Sequence, residues 1–576
     1  MSIGIAVVGL LCFFFGYQFY SKFIAEKIYR LDPTFVTPAH RYKDGVDFVP
    51  TKKEILWGHH FTSIAGAAPI LGPAIAVYWG WLPAFLWVVL GTIFAAGVHD
   101  FGTLVISARH KGQSMGTLAN RIIGQRAKML FLFIILILVL MVNAVFAWVI
   151  ANLFISFPAS VLPIFIEIPL AIWIGYRVYR SGGSLLLPSV IALVVMWGTA
   201  VVASYVPALQ INFVDYLGGA EAANVFMGLN ATETTFLIWI VVLFVYCFFA
   251  SSLPVWTLLQ PRDYINSHQL IIGLIVLYLG LLFLAPEVTA PVVNSSANDV
   301  SWWPLLFITI ACGAISGFHG LVSSGTTSKQ LDKETDARYV GYLGSVGEGI
   351  LALISVIAVA TAFSVVDFSS KYASFADASK NGLSSFVNGA ANLASGLAID
   401  PTLGKTIVAV VVVSFAATTL DSSVRLMRYI IAEIGSEYKI KVITGNRTAT
   451  AIAVLASAAL ALTPGGANGF GSGGYHLWPL FGTSNQLLAG ISLLIVTIWL
   501  KRLGRNYLPT LLPMLFILFV TIWAMAQQVF TQWMGQEGKM LLFFLGAVIL
   551  VFAAWIVLEA VRVFATGKDY SKDIPG

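Results

Sequence analysis

The chain is 576 residues long, 58% hydrophobic and only 10% charged, with a mean hydropathy of +0.86. A soluble globular protein carries about 25% charged residues, so a water-soluble enzyme, a disordered protein and a secreted disulfide scaffold are excluded. Lys and Arg number 33 against 27 Asp and Glu, a net charge of +6; in a membrane protein this follows from loops basic on one side and implies no nucleic-acid partner.

A membrane-crossing helix needs about 20 mostly apolar residues. The sequence predicts an all-α polytopic membrane protein with about fifteen such spans. In chain order they are 3–20, 60–79, 81–108, 129–156, 161–179, 184–206, 235–259, 269–285, 302–325, 341–366, 405–432, 448–463, 476–500, 507–527 and 539–563. The first has its charges after it, in SKFIAEKIYR, which is the pattern of an uncleaved anchor. Residues 369–403, rich in Ser, Ala, Asn and Gly, read as an external loop with some helix. The cysteines Cys12, Cys247 and Cys312 lie inside apolar runs and read as packing residues.

The loops alternate in basic charge. Residues 21–59 hold seven Lys or Arg, 109–128 hold five, 177–183 hold two, 260–268 hold one (Arg262), and 326–340, 433–447 and 501–506 hold three each. Between them the loops are poor: 157–160, 207–234, 286–301 and 464–475 hold none, 367–404 hold two, and Lys539 alone borders 528–538. The positive-inside rule then puts the N-terminus outside and the C-terminal tail in the cytoplasm.

Irregular backbone at membrane depth is tolerated only against protein or a watery cavity. Two spans carry it. Residues 64–76, IAGAAPILGPAIA, put Pro69, Pro73, Gly66 and Gly72 mid-span, and 311–325, ACGAISGFHGLVSSG, interrupt another with glycines, serines and His319. These are the second and ninth spans, so they cross in opposite directions. Opposed broken helices are the signature of inverted-repeat transporters. The expected organisation is an N-terminal helix and cytoplasmic segment (1–59), a first repeat (60–206), a two-helix insertion (207–301), a second repeat (302–500) and peripheral C-terminal helices with a tail (501–576). Close packing through small residues is the bland alternative; it accounts poorly for two prolines beside two glycines.

Charges at depth need a partner or a role. His99 and Asp100 lie in the third span. Asp421, Arg425 and Arg428 share a helical face in the eleventh, where Asp421 and Arg425 are spaced to pair. His319 sits in the ninth span beside Ser316, Ser323 and Ser324. His59 and His60 stand at the cytoplasmic mouth of the second, Glu348 near the inner end of the tenth, and Asn485 and Gln486 inside the thirteenth. Glu167 and Glu559 look isolated. Adjacent residues point about 100° apart on a helix, so the pairs His59–His60 and His99–Asp100 do not chelate in a simple way. With no HExxH or CxxC, no metal site is expected, and with no P-loop no ATP-driven transport. That leaves an ion gradient, with Asp100, His319 and Asp421 as titratable groups.

The longer motifs carry a resemblance. DGVDFVPT (44–51), GHHFTSIAGAAPILGP (58–73), HDF (99–101), QPRDYIN (260–266), CGAISGFHGLVSSGTTSKQL (312–331), TTLDSSVRLMRYI (418–430) and WPLFGTSNQLLA (478–489) resemble the carbon starvation A (CstA) family. One departure is His99, where the family has Gln; this puts a role for His99 in doubt and leaves Asp100 the better candidate. The resemblance implies a multi-pass prokaryotic inner-membrane protein, active when carbon is scarce, associated with peptide uptake and in relatives with pyruvate uptake. It also implies likeness to the amino acid–polyamine–cation superfamily, with a LeuT-like five-plus-five core.

The expected function is therefore proton-coupled import of short peptides, without enzymatic activity or cofactor, by a monomer; Na+ is the alternative coupling ion. Gly66, Ala67, Pro69, Gly72, Asp100, Gly313, Ser316, His319 and Ser323 are the expected substrate-binding residues. Asp100 is the first choice for the peptide ammonium. Asp100, His319, Asp421 and Arg425 are expected to couple the ion, and His59, His60, Glu348 and Asn485 to gate or support. A symporter of pyruvate or another small monocarboxylate is the runner-up. A nutrient-sensing receptor, a passive channel and an integral-membrane enzyme are rivals from other classes; a receptor would need an output domain, an enzyme a catalytic cluster.

Overall fold

The computed structural model describes residues 1–182, 185–465 and 469–566. Among these the protein is helical, with only two isolated β-bridges, Thr51 to Leu331 and Phe226 to Leu229. Twelve described helices are long and apolar enough to cross a membrane, and the pair Lys53–Ile64 and Ala68–Trp79, bent by 48°, makes thirteen. Asn446–Leu462 is a shorter apolar helix. The predicted ninth span is two pieces, Trp302–Thr309 and Gly317–Gly325. Thirteen of the fifteen predicted spans thus correspond to a helix or bent pair long enough to cross, and 302–325 and 448–463 correspond to shorter helices. The last residues of the predicted C-terminal tail, 567–576, lie outside the described ones.

Three differences have physical causes. The first helix does not stop at 20 but runs Ser2–Tyr29, through π-helical turns at Gly16–Tyr20 and Ile24–Tyr29. A π turn disturbs the usual carbonyl partners. Arg338 takes up one of them, donating to Tyr17 O and to Ser21 Oγ at 2.8 Å each. Second, the Ser- and Asn-rich stretch expected as an external loop with some helix is mostly helix, Phe375–Ser395. Its apolar residues Leu383, Phe386, Val387 and Ala390 recur at helical spacing and are buried. Third, the prolines of the second span do not break it where they stand. Helix Ala68–Ala76 takes Pro69 in its first turn, where no amide donor is needed, and continues through Gly72 and Pro73.

Contacts divide the chain into two compact units. The first comprises Met1–Ile137, Ala285–Gly389 and the residues from Leu480 onward; the second comprises Leu138–Leu284 and Ala390–Pro479. Both broken helices belong to the first.

Within the first unit the loops meet in two sets. The basic segments touch one another: Arg109 grips Glu334 through two bonds of 2.6 and 3.1 Å, and the Asp32 amide donates to Glu334 at 2.6 Å. Arg505 donates to Tyr29 O at 2.6 Å and Arg502 to Ile122 O at 2.8 Å. The basic-poor segments do the same. Ser2 Oγ donates to Pro286 O at 2.6 Å, the Trp81 amide to Pro291 O at 3.1 Å, and the Phe375 amide to Asp299 at 2.9 Å. In the second unit, Glu233 in one basic-poor loop accepts the Phe470 amide of another at 3.0 Å.

Candidate functional site

The first unit holds the two breaks. One helix ends at Ile64, Ala65 turns out of helical geometry at φ −81° and ψ 48°, and the chain re-enters helix at Ala68. In the other, residues 310–316 are non-helical between Thr309 and Gly317. Gly313 has φ +92°, a conformation open to glycine at little cost. A Cβ there would stand 2.7 Å from the Ala352 Cβ and 3.4 Å from the Pro69 Cα, so the second break lies against the start of the half-helix that follows the first. Gly66 and Ala67 fall in the break. Pro69 and Gly72 belong to the helix, and Gly72 lies against the Thr309–Ile310 backbone.

Freed backbone groups away from water need partners. Thr92 Oγ1 donates to Gly313 O at 3.1 Å and Ser355 Oγ to Ile70 O at 2.7 Å. Asn485 serves the second break three times over. Its Oδ1 accepts the Phe318 amide at 2.9 Å, and its Nδ2 donates to Ser316 Oγ at 2.9 Å and to Cys312 Sγ at 3.2 Å.

Beside this break runs a fully buried chain of ionisable side chains. Asp100, from Gly97–Arg109, accepts from His99 Nδ1 at 2.7 Å on one oxygen. On the other it meets His319 Nδ1 at 2.9 Å and the Ser345 hydroxyl at 2.5 Å. His319, from Gly317–Gly325, presents its second nitrogen to Glu348 Oε2 at 3.3 Å; Ser345 and Glu348 come from Leu343–Ala360. One imidazole thus stands between two carboxylates, and three helices supply the set. Asp100 and His319 are 0% exposed and Glu348 is 1% exposed. Such a chain can hold or pass a proton: both nitrogens of His319 face a carboxylate, Nδ1 in a hydrogen bond and Nε2 at ion-pair distance. Close approach makes it possible, since a Cβ on Gly320 would lie 3.1 Å from the His99 ring.

The other predicted residues are distributed as follows. Ser323 is buried one turn beyond His319, and its hydroxyl has no hydrogen-bond partner. His59 and His60, expected at a membrane mouth, are buried at 3% and 0% exposure, and His60 Nδ1 meets Thr327 Oγ1 at 3.0 Å. In the second unit the expected Asp421–Arg425 pair is corrected: Asp421 bonds Arg262 at 2.6 Å and accepts from the Tyr246 hydroxyl at 2.9 Å. Arg425 donates to the carbonyls of Ala250 and Leu253. Helical spacing made Arg425 a neighbour of Asp421, but a long side chain at i+4 is free to swing to another helix. Glu167, expected to be isolated, meets Ser414 at 3.4 Å. It also lines, with Tyr246 and Arg262, a cavity of about 30 Å³, one water in size.

Sequence reading missed Arg262, Ser345 and the contact of Cys312 with Asn485. Arg262 was counted as a loop cation; the signal that could have found it is the acid–base run Arg262–Asp263 at the start of an apolar helix, Leu259–Leu284. His99, doubted for its departure from the family, is bonded directly to Asp100.

The family model of the carbon starvation protein CstA matches residues 1–374 and 363–524. A peptide transporter CstA of Helicobacter pylori is 35% identical over 90% of this chain and 81% of its own length. The pyruvate/proton symporter BtsT of Escherichia coli is 30% identical over 93% of this chain and 83% of its own. The structure of MhsT in complex with L-phenylalanine aligns over 89% of this chain and 99% of MhsT, with a TM-score of 0.48 at 13% identity. With its apolar helices, the family-model match and these relatives, the chain is a multi-pass protein of the bacterial inner membrane and belongs to the carbon starvation CstA family.

Proposed function

We propose that this protein is a secondary importer of short peptides, driven by protons, in which Asp100, His319 and Glu348 form the proton-carrying centre. The observation that carries the reading is the buried carboxylate–imidazole–carboxylate chain beside the unwound segment 310–316. Buried charges are expensive unless they serve, and a broken helix at depth points to a transported solute. The name of the Helicobacter relative supports peptides as substrate.

In this reading the substrate carboxylate binds near the amides at the start of Ala68–Ala76, where the helix dipole favours an anion. Gly66, Ala67 and Gly313 supply the unwound backbone, and Ser323 offers its unused hydroxyl. Both oxygens of Asp100 are engaged by His99, His319 and Ser345. We therefore assign Asp100 to coupling, and leave the peptide ammonium to backbone carbonyls. A proton arriving on Glu348 weakens its hold on His319, and the half-helix carrying His319 is then free to shift. Asp421 with Arg262 is the second coupling pair: protonation of Asp421 releases the guanidinium. Asn485 supports the break, and His59 and His60 line the approach to it.

The same reading takes the fifteen helical passages as one LeuT-like five-plus-five core, with repeats at 60–206 and 302–500, an insertion at 207–301 and peripheral helices at either end, working as a monomer. The N-terminus lies outside. A second reading, symport of pyruvate or a similar monocarboxylate, is favoured by the name of the Escherichia relative. It needs one anion site and no ammonium partner. The test is uptake into sealed proteoliposomes under an inward proton gradient, comparing labelled dipeptide, tripeptide and pyruvate. Peptide uptake that collapses with a protonophore, and persists without Na+, supports the first reading. Pyruvate uptake alone moves the assignment to the second. If neither solute moves, both substrate readings fall.

A further inference from the structure

Cys312 was read from the sequence as a packing residue, yet its sulfur faces chemistry. Cys312, His319 and Glu348 each offer one ligand atom, and the three atoms lie within 4.8 Å of one another. All three residues are buried. His319 Nε2 and Glu348 Oε2 are 3.3 Å apart, about the separation of two ligands on a tetrahedral ion with bonds near 2.0–2.1 Å. Glu348 Oε1 is buried without a hydrogen-bond partner, a polar atom that a bound group would satisfy.

The surrounding bonds are those a metal ligand needs. A metal-binding histidine usually gives its other ring nitrogen to a carboxylate, which fixes the tautomer and aims the ligating atom. His319 Nδ1 is held by Asp100 at 2.9 Å, and Asp100 is itself held by His99 and Ser345. The Asn485 amide donates to Cys312 Sγ at 3.2 Å, which holds the sulfur in place. Cys312 stands in the non-helical segment 310–316, free of the spacing that a helix would impose between it and His319.

We propose that Cys312, His319 and Glu348 form a binding site for a thiophilic divalent cation such as Zn2+. One sulfur, one imidazole nitrogen and one carboxylate suit Zn2+ or Co2+ and not Mg2+ or Ca2+, which take oxygen ligands. Three protein ligands leave a fourth position for water or a solute carboxylate. Binding displaces the thiol proton of Cys312 and the Nε2 proton of a doubly protonated His319, so one ion enters as two protons leave. The ion and the coupling proton therefore compete for the same atoms, and Zn2+ arrests import. The arrest rests on the proton-coupled reading above; the binding does not.

The test uses purified full-length protein and two probes, Co2+ and Zn2+. Co2+ is expected to give one thiolate-to-metal charge-transfer band per chain, displaced by an equivalent of Zn2+. Cys312→Ser is expected to abolish the band, while Cys12→Ser and Cys247→Ser retain it. Glu348→Gln is expected to keep the band and weaken affinity at least tenfold. In weak buffer the wild-type protein is expected to release about two protons per Zn2+, a readout that needs no variant. A wild-type protein without the band or the proton release, or a folded Cys312→Ser protein that keeps the band, overturns the site. Uptake is measured separately in chelator-treated vesicles. A band without uptake sinks the transport reading and leaves the site standing; uptake without a band does the reverse.

Discussion

Asp100 receives three donors on two oxygens, and that arithmetic separates its charge from its shape. Asp100→Asn keeps the volume but supplies a carboxamide oxygen for only part of the set, and its NH2 meets donors instead of acceptors. We expect the variant to fold with a lowered Tm and to lose proton-driven uptake by more than tenfold. Solute exchange without a gradient should fall less. Asp100→Ala should be worse in stability, since breaking a buried ion pair from one side costs about 3–5 kcal/mol. Thermal melts beside uptake and exchange assays check both; an Asp100→Asn protein with unaltered gradient-driven uptake would remove Asp100 from the coupling centre. At this scale the sequence was half legible. Asp100 and His319 stood out because an ionisable residue in an apolar run is costly. Their contact did not, because the two residues come from helices far apart in the chain and no spacing rule reaches across that gap. The Asp421–Arg425 expectation failed for the converse reason. The i, i+4 rule reports which residues are near on one helix, and it is Arg262, from another helix, that bonds Asp421 at 2.6 Å.

A broken helix is stable only if its loose ends are tied, and Asn485 ties the second break through Phe318, Ser316 and Cys312. Asn485→Leu removes donor and acceptor together and leaves the Phe318 amide buried without its acceptor. A lost partner of this kind costs about 1–3 kcal/mol. We expect a Tm several degrees lower and faster hydrogen exchange confined to the start of Gly317–Gly325. Asn485→Asp keeps the acceptor for Phe318 but has no amide hydrogens for Cys312, and should fall between. Exchange that rises uniformly over the chain, with no excess at 317–320, would show that Asn485 does not hold this element. The breaks themselves were visible in sequence as runs of Gly, Pro and Ser at depth, but their positions were not. The prolines and glycines read together as breakers, whereas Pro69 begins a helix, Gly72 and Pro73 lie inside it, and the turn is made by Ala65 to Ala67, of which Gly66 alone carries the signal. Some helix was legible in 369–403, but not the full length of Phe375–Ser395, because serine and asparagine on its outer face mask the buried face of Leu383, Phe386 and Val387.

For the molecule as a whole, the alternation of basic and basic-poor loops makes a statement about sides. The first unit repeats it independently: Arg109 with Glu334 and Arg505 with Tyr29 join basic segments, while Ser2 with Pro286 and the Phe375 amide with Asp299 join poor ones. No membrane enters either observation. A miscounted span would put a basic segment among the poor ones, and in the bonds above each segment meets its own kind. Charge bias then chooses which set faces the cytoplasm. We expect single cysteines introduced at Ser296 or Asn381, in a background with Cys12, Cys247 and Cys312 replaced, to react with an impermeant maleimide in right-side-out vesicles. Cysteines at Lys43 or Lys439 should react only after permeabilisation. The four positions are exposed or half-exposed, so burial does not confound the comparison. Labelling of Lys43→Cys from outside together with Ser296→Cys from inside would invert the molecule but keep the sets. Labelling of Ser296→Cys and Lys43→Cys from the same side would break the sets. It would remove the opposed crossing of the two broken helices, and with it the inverted repeat on which the importer reading depends.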